Sequence, residues 1–125
     1  MTSGWSCAGE NSRMSAEMSR ASRFVVVFVT CPTPAVGRRL ARELVRLRLA
    51  ACVNVLPGVE SVFRWQGKVD RSREALLIIK TTRARLARLT RAVVALHPYD
   101  LPEVIALPVA AGHPPYLRWI ASSVA

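Results

Sequence analysis

Residues 50–69, AACVNVLPGVESVFRWQGKV, constrain what this chain can fold into more than any other stretch. Apolar and polar residues alternate through it, the mark of a strand with two unlike faces. Pro57-Gly58 falls in its middle. Proline has no N–H to give to a ladder, so the pair predicts an edge position or a bulge. Before the pair, Val53 and Val55 share one face, and Cys52, Asn54 and Leu56 the other. After it, Val59, Ser61, Phe63 and Trp65 fall on one side, with Glu60, Val62 and Arg64 opposite. Gln66-Gly67-Lys68 supplies a turn. Val69 to Glu74 is polar enough to begin an exposed return arm, and Ala75–Ile79 (ALLII) is a buried run that pairs antiparallel with the first arm. The whole reads as one long, bent strand opening a hairpin.

The remaining elements follow from periodicity. Phe24–Val29 (FVVVFV) is apolar on both faces, which predicts a central strand covered on both sides. Thr33 is a good N-cap and Pro34 suits a first helical turn. Val36, Leu40, Leu44 and Leu47 then form one stripe, predicting an amphipathic helix over about 34–49 in which Arg39 and Glu43 are spaced to pair. Leu86, Leu89, Val93 and Leu96 form a second stripe, predicting a helix over 83–96 ended by His97-Pro98. A Pro-punctuated connection leads to a short strand, Val104–Leu107, and Pro114–Ser123 reads as a terminal helix. The order β-α-β-β-α-β plus a helix predicts the α+β class. The expected architecture is a ferredoxin-like antiparallel sheet with both long helices on one face. Two helices cannot serve apolar residues on both sides of such a sheet, so its second face argues for an oligomer.

Composition narrows the function. Residues 1–22 are polar and Ser-rich without a sustained period, which predicts a disordered extension ahead of a folded domain at 23–125. No apolar run approaches the roughly 18 residues of a membrane span, and no basic start precedes an apolar stretch. The expectation is a cytoplasmic protein without a membrane partner. Cys7, Cys31 and Cys52 do not suit a disulfide-stapled module. The net charge of +10 lies wholly in 23–125, as 16 basic residues against six acidic. These are spread over the helices, which points to a solvated face and away from nucleic acid. There is no glycine-rich phosphate loop and no nucleophile beside a base, so no enzyme activity is expected.

Five blocks then carry a family. VVVFVTCP, LAACVNVLPGVESVFRWQGKV, ALLIIKTT, HPYDLPEVIALPV and YLRWI, in that order over about residues 24–121, resemble the CutA divalent-cation tolerance proteins. The resemblance implies a tight homotrimer in which strand edges of neighbouring subunits join. It also implies a cytoplasmic bacterial protein of the response to metal ion, with copper the metal most often named, and no established reaction. His97 stands at the family's HPY histidine. Some members place a second His directly before it, where this chain has Leu96, and a Cys two positions before Cys31, where it has Val29. His97 and Cys31 are therefore the candidate ligands for copper or another divalent cation. Trp65, Lys68, Tyr99 and Glu103 are the candidates for a cleft between subunits, although Trp and Tyr also favour interfaces simply as packing. A second class of function is a PII-like trimeric sensor that binds an anionic metabolite or nucleotide at such clefts.

Overall fold

The computed structural model describes residues 13, 15, 16 and 20–125. Its elements are β1 (Phe24–Cys31), α1 (Pro34–Arg46), β2 (Cys52–Trp65), β3 (Lys68–Thr82), a 3-10 turn (Arg83–Arg85), α2 (Leu86–Leu96), β4 (Ile105–Pro108) and α3 (Pro114–Ser123). The four strands form one sheet in the order β2-β3-β1-β4, with every pair antiparallel. This is the expected ferredoxin-like α+β arrangement. The expected disordered extension falls mostly outside the described residues. Within them, Ala21 is buried, and the Arg83 guanidinium donates from Nε and Nη2 to the Ser22 carbonyl at 3.2 and 3.0 Å. Packing thus begins two residues ahead of Arg23.

The pleat of β1 and β3 divides the sheet into two faces. Val25, Val27, Val29 and Cys31 on β1, with Ala75, Leu77 and Ile79 on β3, point to one side. They are buried in a single cluster with Leu40 and Leu44 of α1 and Leu89 and Val93 of α2. Val53, Val55 and Ala106 pack against its margin. Gly37 lets α1 approach β3 closely, since a Cβ there would lie 3.1 Å from Leu77 Cδ2. On the second face Val26, Phe28, Leu76 and Ile78 are half-buried, while Leu56, Ile105 and Leu107 are exposed. α3 lies against β3 and brings Tyr116 near Cys52, so it covers part of this face. Lys80, also here, donates to Asn54 Oδ1 and stands 3.9 Å from Cys52 Sγ.

The Pro57-Gly58 pair is a bulge within a continuous strand. Leu56 pairs with Leu76 and Val59 with Glu74, so three residues advance on β2 for two on β3. Gly58 takes φ 73° there, a left-handed conformation that costs glycine little. The extra residue inverts the parity of the pleat. Even-numbered Leu56 precedes the bulge, and odd-numbered Val59, Ser61, Phe63 and Trp65 follow it on the same face. The hairpin closes on the two-residue turn Gln66-Gly67, both at positive φ (51° and 80°), as a type I′ turn requires.

Two expectations differ in detail. α1 stops at Arg46 rather than Leu49, because Arg48 adopts φ 60° and turns the chain. The Leu49 and Ala50 N–H groups then return to the Leu44 carbonyl at 2.9 and 3.2 Å, and both residues are buried. A straight helix would carry them past the sheet. Glu43 pairs with Arg46, not Arg39, through a two-bond fork at 2.5 and 3.1 Å. The Thr33 cap forms as expected, with its Oγ1 accepting from the Val36 N–H at 3.2 Å.

Candidate functional site

The bulge in β2 sets up a cleft. By keeping Ser61, Phe63 and Trp65 on the second face, it aligns them with their partners Ser72, Asp70 and Lys68 on β3. The end of β1 and the connection after α2 close the other side. The result is an open-sided cleft of about 830 Å³ lined by Thr30, Phe63, Trp65, Glu74, Tyr99, Glu103 and their neighbours. Its size lies within the range of small-ligand sites.

Trp65, Tyr99 and Glu103, expected at a cleft between subunits, line this cleft of the single subunit. Lys68 does not line it. The tight turn sets Lys68 opposite Trp65 at the hairpin tip, where it stays exposed. Pattern reading missed Glu74 and Thr30. Glu74 is buried, and its Oε2 accepts from the Tyr99 hydroxyl at 2.8 Å. Burial, then the hydrogen bond to Glu74, push the Tyr99 phenol up to about 12. Thr30 Oγ1 donates to Glu103 Oε1 at 3.5 Å. The available signal was alternation: carried back from Leu76 and Ile78, it puts Glu74 on their face beside an otherwise apolar run.

The cleft is acidic in a basic molecule. Of the six carboxylates in residues 23–125, Asp70, Glu74, Asp100 and Glu103 line it. Arg64 and Arg71 also reach it, but Arg71 faces Glu60 at 3.6 Å.

His97 and Cys31 sit behind this cleft, and their chemistry is structural. His97 is buried, and both ring nitrogens are engaged. Nδ1 accepts from the Tyr99 N–H at 3.1 Å, which leaves the proton on Nε2 to be donated to the Thr30 carbonyl at 2.7 Å. The ring also packs against Tyr99 with centroids 4.7 Å apart. Cys31 has no solvent contact, and burial, then the charge of Glu74, raise its thiol to about 11. A cation wants a free imidazole nitrogen and a thiolate; neither is offered. Among the described residues, no group of three or more His, Cys, Asp or Glu side chains is placed to hold a metal ion. The subunit's donor set therefore does not fit a copper site built on these two residues. Nor is any helix among the described residues long and apolar enough to cross a membrane.

Comparison with known proteins agrees with fold and sequence blocks. The chain matches the CutA1 divalent ion tolerance protein family over residues 25–123. It is 50% identical over 95 residues to the divalent-cation tolerance protein CutA of Thermus thermophilus, covering 76% of this chain and 92% of that protein. It is also 50% identical over 107 residues to the chloroplastic protein CutA of Arabidopsis thaliana, covering 86% of this chain but only 59% of that longer relative. The crystal structure of rice CutA1 superposes with a TM-score of 0.80 at 50% identity, over 82% of this chain and 94% of the other. On a match that spans nearly the whole folded region, the chain belongs to the CutA1 divalent ion tolerance family.

Proposed function

We propose that this protein serves in divalent-cation tolerance as a non-catalytic cytoplasmic homotrimer, and that its working site is the acidic cleft at the bend of β2. The observation that carries the reading is the family match over residues 25–123. The cleft supports it: Glu74 and Glu103 are held in place by Tyr99 and Thr30, and the carboxylates suit a hard or borderline cation. Among the described residues too few donors converge within one subunit, so in this reading groups from a neighbour complete the cation's shell. His97 supports Thr30 and Tyr99 and does not touch the ion.

The test is metal analysis of the purified protein together with copper titration by calorimetry. The expected result is saturable binding by the assembled protein. Glu74→Gln with Glu103→Gln weakens it about tenfold or more, a loss of at least ~1.4 kcal/mol, while Glu60→Gln leaves it unchanged. Binding that ignores both cleft substitutions would remove the cleft from the mechanism.

A further inference from the structure

A second cleft, unrelated to the first, lies where the chain enters β1 and leaves β3. It measures about 740 Å³ and is lined by Arg23, Arg83, Arg85 and Arg88, with Ala84, Ala121 and Val124 as apolar walls. Four arginines line one cleft, and among the described residues no acidic side chain lines it. The two ion pairs found among the described residues, Arg46–Glu43 and Arg71–Glu60, both lie elsewhere. Ala125 stands at the rim.

Two of the arginines are fixed. Arg83 donates from Nε and Nη2 to the Ser22 carbonyl, and Arg85 donates from Nε to the Val124 carbonyl at 2.8 Å. Each keeps N–H groups beyond those bonds, because a guanidinium carries five. Arg23 and Arg88 are exposed, and their side chains make no hydrogen bond among the described residues. The first turn of α2 has no acidic residue to offset its positive end. Fixed forks beside free ones form a preorganised receptor for tetrahedral oxyanions, since guanidinium matches phosphate with paired bonds.

We infer that this arginine cleft binds a small polyphosphate anion, whether free inorganic polyphosphate or the phosphate chain of a nucleotide. The apolar wall beside the arginines gives a nucleotide base or sugar a place to lie. The inference does not rest on the metal-tolerance reading, and either can fail alone.

Calorimetric titration of the full chain with sodium tripolyphosphate, at fixed ionic strength, tests it. Saturable binding is expected. Arg23→Gln with Arg88→Gln weakens it about tenfold or more, because charge-assisted bonds to phosphate are lost. Neither side chain holds the fold together, so both variants stay folded. Arg38→Gln with Arg42→Gln on α1 removes the same charge away from the cleft and leaves affinity within about twofold. ATP tighter than tripolyphosphate identifies a nucleotide as the ligand, and the reverse order identifies free polyphosphate. Absence of saturable binding overturns the inference, as does equal weakening by the two charge-matched variants. Tighter binding of a single-stranded oligonucleotide that is indifferent to the Arg23 and Arg88 changes would also overturn it, in favour of diffuse nucleic-acid attraction.

Discussion

Cys31 and His97 carry chemistry that ordinarily suggests ligands, yet each is spent on the fold. For Cys31 the consequence is a pH dependence. The folded thiol ionises at about 11 against an ordinary 9.0, because burial and then Glu74 disfavour the thiolate. Below pH 9 the thiol is protonated in both states, and the full contribution to stability is present. Between pH 9 and 11 the unfolded chain releases the proton while the folded chain keeps it, so stability falls by about 2 kcal/mol. Tyr99 adds to the fall in the same direction from pH 10 upward. Urea unfolding at stepped pH should show a shallower decline over pH 9–11 in Cys31→Ala than in the parent; identical slopes would reject the assignment. For His97, replacement by Ala leaves the Thr30 carbonyl and the Tyr99 N–H without partners and should cost about 2–4 kcal/mol. The same unfolding experiment reads it. A loss below about 0.5 kcal/mol would mean the ring is not a strut. The position of His97 at a helix end was legible from His-Pro. Its partner was not, because Thr30 lies 67 residues away and only the sheet brings the two together.

At the level of elements, local patterns settled most of the order and lengths, because each strand and helix states its own period. The terminal helix and the two apolar stripes fall where spacing put them. The bend in β2 was legible as a place and not as a geometry. Pro57-Gly58 says that the ladder is interrupted, but only the pairing with β3 says by how many residues. That count sets which side Phe63 and Trp65 face. Deleting Gly58 alone should restore one-to-one pairing and keep Val59 on the face of Leu56, whereas deleting Pro57 and Gly58 together places Val59 next to Leu56 in the pleat and should turn Val59, Ser61, Phe63 and Trp65 away from Tyr99 and Glu103. Far-UV circular dichroism should stay close to that of the parent, because the core cluster does not include the distal hairpin. Copper affinity at the cleft should fall about tenfold in the double deletion and hold in the single one. Unchanged affinity in the double deletion would show that the facing of the distal arm does not set the site.

The molecule as a whole leaves apolar side chains exposed along one face. The distal half of the β2–β3 hairpin extends past the helices, and Val62 and Val69 are about two-thirds exposed on one side while Phe63 and Trp65 are half-exposed on the other. A two-stranded hairpin without cover is marginal in water. At the opposite edge, β4 has only four residues, and its Ile105 and Leu107 point outward from the second face. Apolar residues scattered singly need no explanation, but these recur along a continuous face from the hairpin to the far edge. The apolar runs already implied that face in the sequence, but not which residues α3 would cover, because that depends on how the terminal helix docks. The homotrimer we propose buries what α3 leaves. Sedimentation of the parent should then give three times the 13.8 kDa subunit mass, with a midpoint of thermal unfolding that rises with protein concentration. Ile105→Asp with Leu107→Asp costs the isolated subunit little, since both side chains already meet solvent there. In the trimer it places charges in a dry contact, so the variant should sediment as a folded monomer. Arg42→Asp, on the exposed side of α1, adds comparable charge without touching that face and should leave assembly unchanged. A parent that sediments as a monomer would reject the trimer. A trimer that survives both aspartates would place the contact elsewhere on the molecule.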